Sequence, residues 1–198
     1  MTERRRSRQR LEISREATRL FRERGVAATS GEQIAEGVGL SARTLWRYFR
    51  SKESCVEPLL AQSVDAFVAT LRRWPAERLL EEHLAEDYRL PADAAPDDAA
   101  AVLDIVRMTR EEPGLRAVWL VINERAEPVL ADVLAGRGGQ SADELAVRVQ
   151  AAALNAALRI TTEEAAVAGE SDTVEDQLAR LSEAVRAATH GLVGNAVA

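Results

Sequence analysis

Residues 29–52, TSGEQIAEGVGLSARTLWRYFRSK, divide into two short amphipathic helices around Gly39. Ser30 stands where a helix N-cap belongs, and Gln33 follows three residues on, the spacing at which each can bond the other's backbone N–H. Ile34, Ala35 and Val38 fall on one face of the first helix, and the small Ala35 lets a second helix cross closely. Gly39 occupies a turn that needs a left-handed backbone. Leu40 plugs the gap behind it, and Ser41 caps the second helix. In that helix Leu45 and Phe49 point inward, while Arg43, Thr44, Trp46, Arg47 and Tyr48 point outward. A helix that is apolar behind and rich in donors in front suits the DNA major groove, where base pairs are told apart by hydrogen bonds to their edges.

Upstream, a first helix is expected from about Ser7 to Arg24. Ile13, Ala17, Leu20 and Phe21 form one apolar stripe on an otherwise charged rod, and Gly25 is placed to end it. Ahead of that helix, Arg4-Arg5-Arg6-Ser7-Arg8-Gln9-Arg10 forms a basic arm, expected to lie along phosphates or to enter a minor groove. Residues 1–52 carry 13 Lys/Arg against 6 Asp/Glu, a local charge of +7, whereas residues 53–198 carry 13 against 26, or −13. The overall charge of −6 therefore hides a basic segment able to neutralise phosphates and an acidic remainder that DNA would repel.

Downstream, Ala, Leu, Glu and Arg dominate and no alternating strand pattern of useful length appears, so an all-α chain is expected. Breaks at Gly25, Gly37–Gly39, Arg50–Ser51, Trp74–Pro75, Leu90–Pro96, Pro113–Gly114, Gly136–Gly139 and Gly169–Asp172 leave about nine helices. Pro58 and Pro128 are expected to kink theirs. In residues 114–135, Leu115, Val118, Trp119, Ile122, Val129 and Val133 face largely one way. The alanine-rich Leu145–Thr161 and the 4-3-4-3 seam Val174, Leu178, Leu181, Val185, Ala188 are expected to pair with a second copy as a four-helix bundle.

Other chemistries find little support. The chain of 198 residues has one cysteine, so a disulfide framework and a multi-cysteine metal site are excluded within it, and Cys55 is expected to be a small buried apolar residue. His83 and His190 are isolated and expected at partly exposed helix positions. Gly-x-Ser-x-Gly, Walker and His-Glu-x-x-His motifs are missing, so the chain is not expected to be an enzyme, and no cofactor or metal is expected. With no apolar run of membrane-spanning length and no signal-like N-terminus, a soluble, cytoplasmic protein is expected, with no membrane partner.

The motifs together resemble the TetR family of transcriptional regulators. The resemblance lies in Leu20-Phe21-x-x-x-Gly25, Ile34-Ala35, Gly39-Leu40-Ser41, Thr44-Leu45-Trp46-Arg47-Tyr48-Phe49 and Ser51-Lys52-Glu53, and covers roughly residues 8–60. It implies a three-helix DNA-binding head (residues 1–52) and a larger six-helix ligand-binding and dimerisation domain (53–198). It further implies a homodimer on a pseudo-palindromic double-stranded DNA operator, released by a small hydrophobic effector. By the same resemblance Arg43 and Thr44 contact base edges, with Ser41 and Arg47 on the same DNA-facing side. Trp46, Tyr48 and Lys52 contact phosphate, and Ser30 and Gly31 present backbone N–H groups to it. Three departures stand out. Trp46 replaces the usual Tyr, and Gly31 and Gly37 replace larger residues, which is expected to loosen the second helix by roughly 1 kcal/mol each.

Residues 66–190 resemble TetR regulators whose C-terminal half is described as acyl-CoA-like ligand-binding. The cues are Leu71-Arg72-Arg73-Trp74-Pro75 and the Pro113-Gly114-Leu115-Arg116 helix start. Candidate effector contacts are Phe67, Met108, Trp119 and Ile122 as apolar walls, with Asn123, Asn155 and Arg159 as polar anchors. Arg159 is also spaced to pair with Glu163. A ligand-free architectural DNA-binding protein is the alternative that the residues leave open.

Overall fold

The computed structural model describes residues 3–75, 77–88, 94–169 and 173–189. Among them are nine α-helices and no strand: α1 (Glu3–Arg24), α2 (Gly31–Gly37), α3 (Ala42–Tyr48), α4 (Glu57–Arg72), α5 (Leu80–Asp87), α6 (Asp98–Met108), α7 (Pro113–Gly138), α8 (Leu145–Ala168) and α9 (Val174–Thr189). A 3₁₀ turn, Glu53–Val56, precedes α4. The all-α expectation and the helix count both hold. Gly25 and Gly39 adopt φ of 83° and 67°, the left-handed conformation that their turns demand.

Two expectations about helix limits fail. α1 starts at Glu3, so the basic arm is helical rather than a tail before the helix. Arginine is a good helix former, and Arg8 pairs with Glu12 one turn on (3.3 Å). Pro58 does not sit in a helix interior. It is the second residue of α4, where the missing N–H has no intrahelical acceptor to lose, so no kink follows. Pro128 does lie inside α7, while Pro113 opens that helix.

Packing divides the chain into two compact units, drawn otherwise than the functional boundary expected after Lys52. The first comprises Met1–Ser63 and Ala92–Ile122. Its core gathers Ile13, Ala17, Leu20 and Phe21 of α1, Ile34 and Ala35 of α2, Leu45 of α3, Leu59 of α4 and Leu115 and Trp119 of α7, all buried. Each large side chain so buried is worth about 1.5–3 kcal/mol. Polar ties lock the same unit. The Ser14 hydroxyl accepts from the Leu59 N–H (3.2 Å). Arg15 donates twice to the buried Asp98 carboxylate, at the start of α6 (2.8 and 2.7 Å), and Arg22 pairs with Asp104 further along α6 (3.0 Å).

Cys55 of the 3₁₀ turn is fully buried in this unit. Burial, and to a lesser degree the charge of Glu53, push its thiol up to about 12, so almost none of it is thiolate at pH 8. Labelling by an aromatic disulfide reagent at pH 8 is expected to be at least 100-fold slower in the native chain than in urea. Equal rates would show the thiol to be accessible.

The second unit comprises Val64–Pro91 and Asn123–Ala198. Its core joins Phe67 and Leu71 of α4, Leu84 of α5, Leu130 of α7, Val147, Leu154 and Leu158 of α8, and Leu181 and Val185 of α9. The last two belong to the seam expected to face a second copy, yet they pack into their own chain. The side chains of Val174 and Ala188, and all of His190, lie outside the described residues. His83 is buried rather than partly exposed, its Nε2 set 2.8 Å from the Thr70 carbonyl. Arg137 closes the end of α4, lying 3.5 Å from the Trp74 ring centre and donating to the Trp74 carbonyl (2.6 Å). Among the described residues no helix is long and apolar enough to cross a membrane.

Candidate nucleic-acid interface

The helix–turn–helix is built from reciprocal caps. Gln33 N–H donates to the Ser30 hydroxyl (3.3 Å) and Ser30 N–H to the Gln33 side-chain oxygen (2.8 Å), so the capping box forms in full. After α2 the chain turns tightly, with Gly39 N–H donating to the Glu36 carbonyl (3.0 Å) and Leu40 N–H to the Ala35 carbonyl (2.8 Å). Thr44 N–H donates to the Ser41 hydroxyl (3.2 Å), which also lies 2.9 Å from the Thr44 hydroxyl. α3 is therefore capped and fixed in rotation. Leu45 and Phe49 are buried, Arg43, Trp46 and Arg47 are exposed, and Thr44 and Tyr48 are half-buried. The inward and outward faces fall where the residue pattern puts them.

Gly31 has a cause that helix propensity alone misses. A Cβ there would run into the six-membered ring of the Trp46 indole, so the two departures are one packed pair: the wide indole lies on the bare backbone of α2. Rather than loosening α2, Gly31 admits the contact that braces it. Gly37 is less constrained, because a Cβ there would meet only the carboxylate end of Glu16, a flexible side chain that pairs with Arg19.

Lys52 has work within the fold. Its ammonium donates to the carbonyls of Val26 (2.5 Å) and Thr29 (2.9 Å), which flank the start of α2. Two of its three protons are thus committed, leaving one for an outside acceptor. The N-terminal arm, as helix, reaches the far end of α3. The Arg6 guanidinium lies 5.8 Å from the Tyr48 ring centre, that of Arg47 5.5 Å from the same ring, and that of Arg10 5.2 Å from Phe49. Sequence inspection passed over this arrangement, although Arg6 and Arg10 extend the stripe of Ile13 and Ala17 at helical spacing.

The seven candidate effector residues are divided between the units. In the first, Trp119 and Ile122 are buried. Met108 lines a surface cleft of about 310 Å³ with Phe21, Arg22, Asp104 and Arg107. In the second, Phe67 is core, edge-on to Tyr88 with ring centres 6.5 Å apart. Asn123 and Asn155 are buried, and the Asn155 amide donates to the Asn123 carbonyl (3.0 Å) and to Glu127 (3.1 Å). Arg159 pairs with Glu163 (3.1 Å), the i,i+4 alternative open to it in the sequence.

A capped helical pair presenting a donor-rich helix, on an all-helical chain, defines a helix-turn-helix protein. Residues 13–59 match the family described as bacterial regulatory proteins, tetR family, and residues 88–192 match the MftR C-terminal domain. The chain belongs to the TetR family of bacterial regulators. It is 32% identical over 139 residues to the HTH-type transcriptional regulator TcmR of Streptomyces glaucescens, a match spanning 67% of this chain and 62% of TcmR. Over 56 residues it is 39% identical to the HTH-type transcriptional repressor KstR2 of Mycobacterium tuberculosis, 28% of either chain. In fold it is similar to Thermus thermophilus FadR, a TetR-family transcriptional repressor solved in complex with lauroyl-CoA. That likeness has a TM-score of 0.60 and 20% identity, covering 95% of this chain and 97% of FadR.

Proposed function

We propose that this chain is a ligand-responsive transcriptional repressor that binds a pseudo-palindromic operator as a homodimer. Residues 1–52 form its DNA-binding segment, and residues 53–198 bind a small apolar effector and hold the dimer. A cytoplasmic location follows from a DNA partner. The observation that carries the DNA assignment is α3, with Arg43, Trp46 and Arg47 exposed over buried Leu45 and Phe49 in a segment of charge +7.

In this proposal Arg43 and Thr44, early on α3, face base edges, with Ser41 and Arg47 beside them. Trp46, Tyr48 and the third proton of Lys52 meet phosphates, as do the backbone N–H groups opening α2 at Ser30 and Gly31. Arg43→Ala is expected to weaken operator binding by ~1–3 kcal/mol while sparing a scrambled duplex. Fluorescence anisotropy on both duplexes measures this, and an equal loss on the two would remove Arg43 from base recognition.

The dimer assignment rests on α8. Leu145, Val149, Ile160 and Val167 are exposed on it and form a stripe opposite the face that buries Val147, Leu154 and Leu158. The stripe runs the length of the helix, roughly 33 Å, with the half-buried Ala152 and Ala156 between. Apolar surface of that length covered by a second copy gives an isologous interface.

For the effector, the supporting observation is Asn155. It is 4% exposed and its side-chain oxygen is buried without a hydrogen-bond partner, a deficit of roughly 1–3 kcal/mol. A donor on a bound effector would relieve it, making Asn155 the preferred anchor of the seven candidates. Lauroyl-CoA serves as the first probe, added to the protein–operator complex.

A further inference from the structure

We propose that Arg6, within the first turns of α1, is a phosphate contact acting with Arg47 and Tyr48, while Arg10, one turn further on, serves the fold. The proposal rests on the regulator reading above and adds to it a residue remote in sequence from the helix–turn–helix. Because α1 begins at Glu3, the arm is a rod about 10–12 Å across with its side chains. A minor groove about 6 Å wide does not admit it, which leaves the DNA backbone as its target and removes sequence recognition from its task.

Two guanidinium groups then converge on one ring. Arg6 and Arg47 lie 5.8 and 5.5 Å from the Tyr48 centre, and both are exposed. Each stacking contact at an exposed site is worth about 0.5–1 kcal/mol, set against the mutual repulsion of two like charges drawn to the same place. An anion seated beside them turns that repulsion into attraction. The place is the C-terminal end of α3, where the proposed function puts the edge of a major groove and hence a row of phosphodiesters. Arg10 differs. It is half-buried, lies over Phe49 (5.2 Å) and pairs with Glu57 (3.6 Å), so its charge is answered within the chain. A merely solubilising arm would not treat two arginines one turn apart so differently.

The test compares the full chain with Arg6→Gln, Arg6→Lys and Arg10→Gln on the selected operator and on a scrambled duplex of equal length, from 50 to 300 mM KCl. Arg6→Gln is expected to weaken both duplexes alike, by about 5-fold, and to flatten the log–log salt slope by about 0.9, the effect of one lost phosphate contact. Arg6→Lys keeps the slope, and Arg10→Gln keeps the slope but melts earlier. Circular dichroism of Arg6→Gln is expected to match the parent, so that the loss reads as contact and not as unfolding. An unchanged slope in Arg6→Gln overturns the proposal, as does an equal change in Arg10→Gln. If the parent chain binds no duplex, the regulator reading falls first; if it binds normally and Arg6→Gln keeps the slope, only the assignment of Arg6 falls.

Discussion

Arg15→Ala is expected to destabilise the folded chain by about 3 kcal/mol, lowering Tm by roughly 6–12 °C at this size. The Asp98 side chain is 4% exposed and accepts two guanidinium N–H groups together with the Ala95 backbone N–H (2.8 Å). Removing Arg15 strands a buried carboxylate on one remaining donor, and the uncompensated charge sets the size of the effect. Burial pushes the Asp98 carboxyl upward, but the Arg15 hydrogen bond, the Ala95 N–H and the Arg15 charge outweigh it and hold the group below its ordinary range. A carboxyl depressed in the fold contributes stability above its unfolded pKa of about 3.9 and loses it as pH falls through the folded value. The stability gap between parent and Asp98→Asn is therefore expected to be open at pH 7 and to narrow below about pH 4. Urea unfolding at both pH values measures it, and a gap that stays constant would show that the ion pair is not its source.

Val149→Asp combined with Ile160→Asp is expected to convert the dimer to a folded monomer. These positions are 59% and 45% exposed in the single chain, so the substitutions leave its core intact. At a two-fold interface each buries an unpaired carboxylate at a cost on the order of 3 kcal/mol. Together they amount to roughly 10⁴-fold in the dimer dissociation constant. Operator affinity falls with it, because two half-sites are then no longer held by one particle. Sedimentation velocity at micromolar concentration measures the change. A double variant that still sediments as a dimer would move the interface off this face of α8.

What could be read from the residues had local causes. Gly25 and Gly39 mark left-handed turns because other residues adopt that conformation at a cost. The Ser30–Gln33 box, the Ser41 cap and the inward Leu45 and Phe49 follow from spacing along one or two helical turns. What could not be read depends on partners distant in sequence. Arg15 and Asp98 are 83 residues apart, and Lys52 finds carbonyls 23 and 26 residues back. Gly31 appears as a weak helix residue until the Trp46 indole is seen lying on it. Apolar periodicity marks Trp119, Ile122 and Phe67 as inward-facing but carries no sign of whether the inside is core or pocket. It also cannot tell which of two apolar stripes faces outward, so the α9 seam drew attention while Leu145, Val149, Ile160 and Val167 of α8 did not.

The most direct test of the central claim is binding of the full chain to duplexes recovered by genomic selection, against scrambled duplexes, across 50–200 mM salt. The account predicts at least about 10³-fold preference for the selected sequence, with affinity for both falling steeply as salt rises. Equal affinity for selected and scrambled DNA, or attachment indifferent to salt, would contradict it.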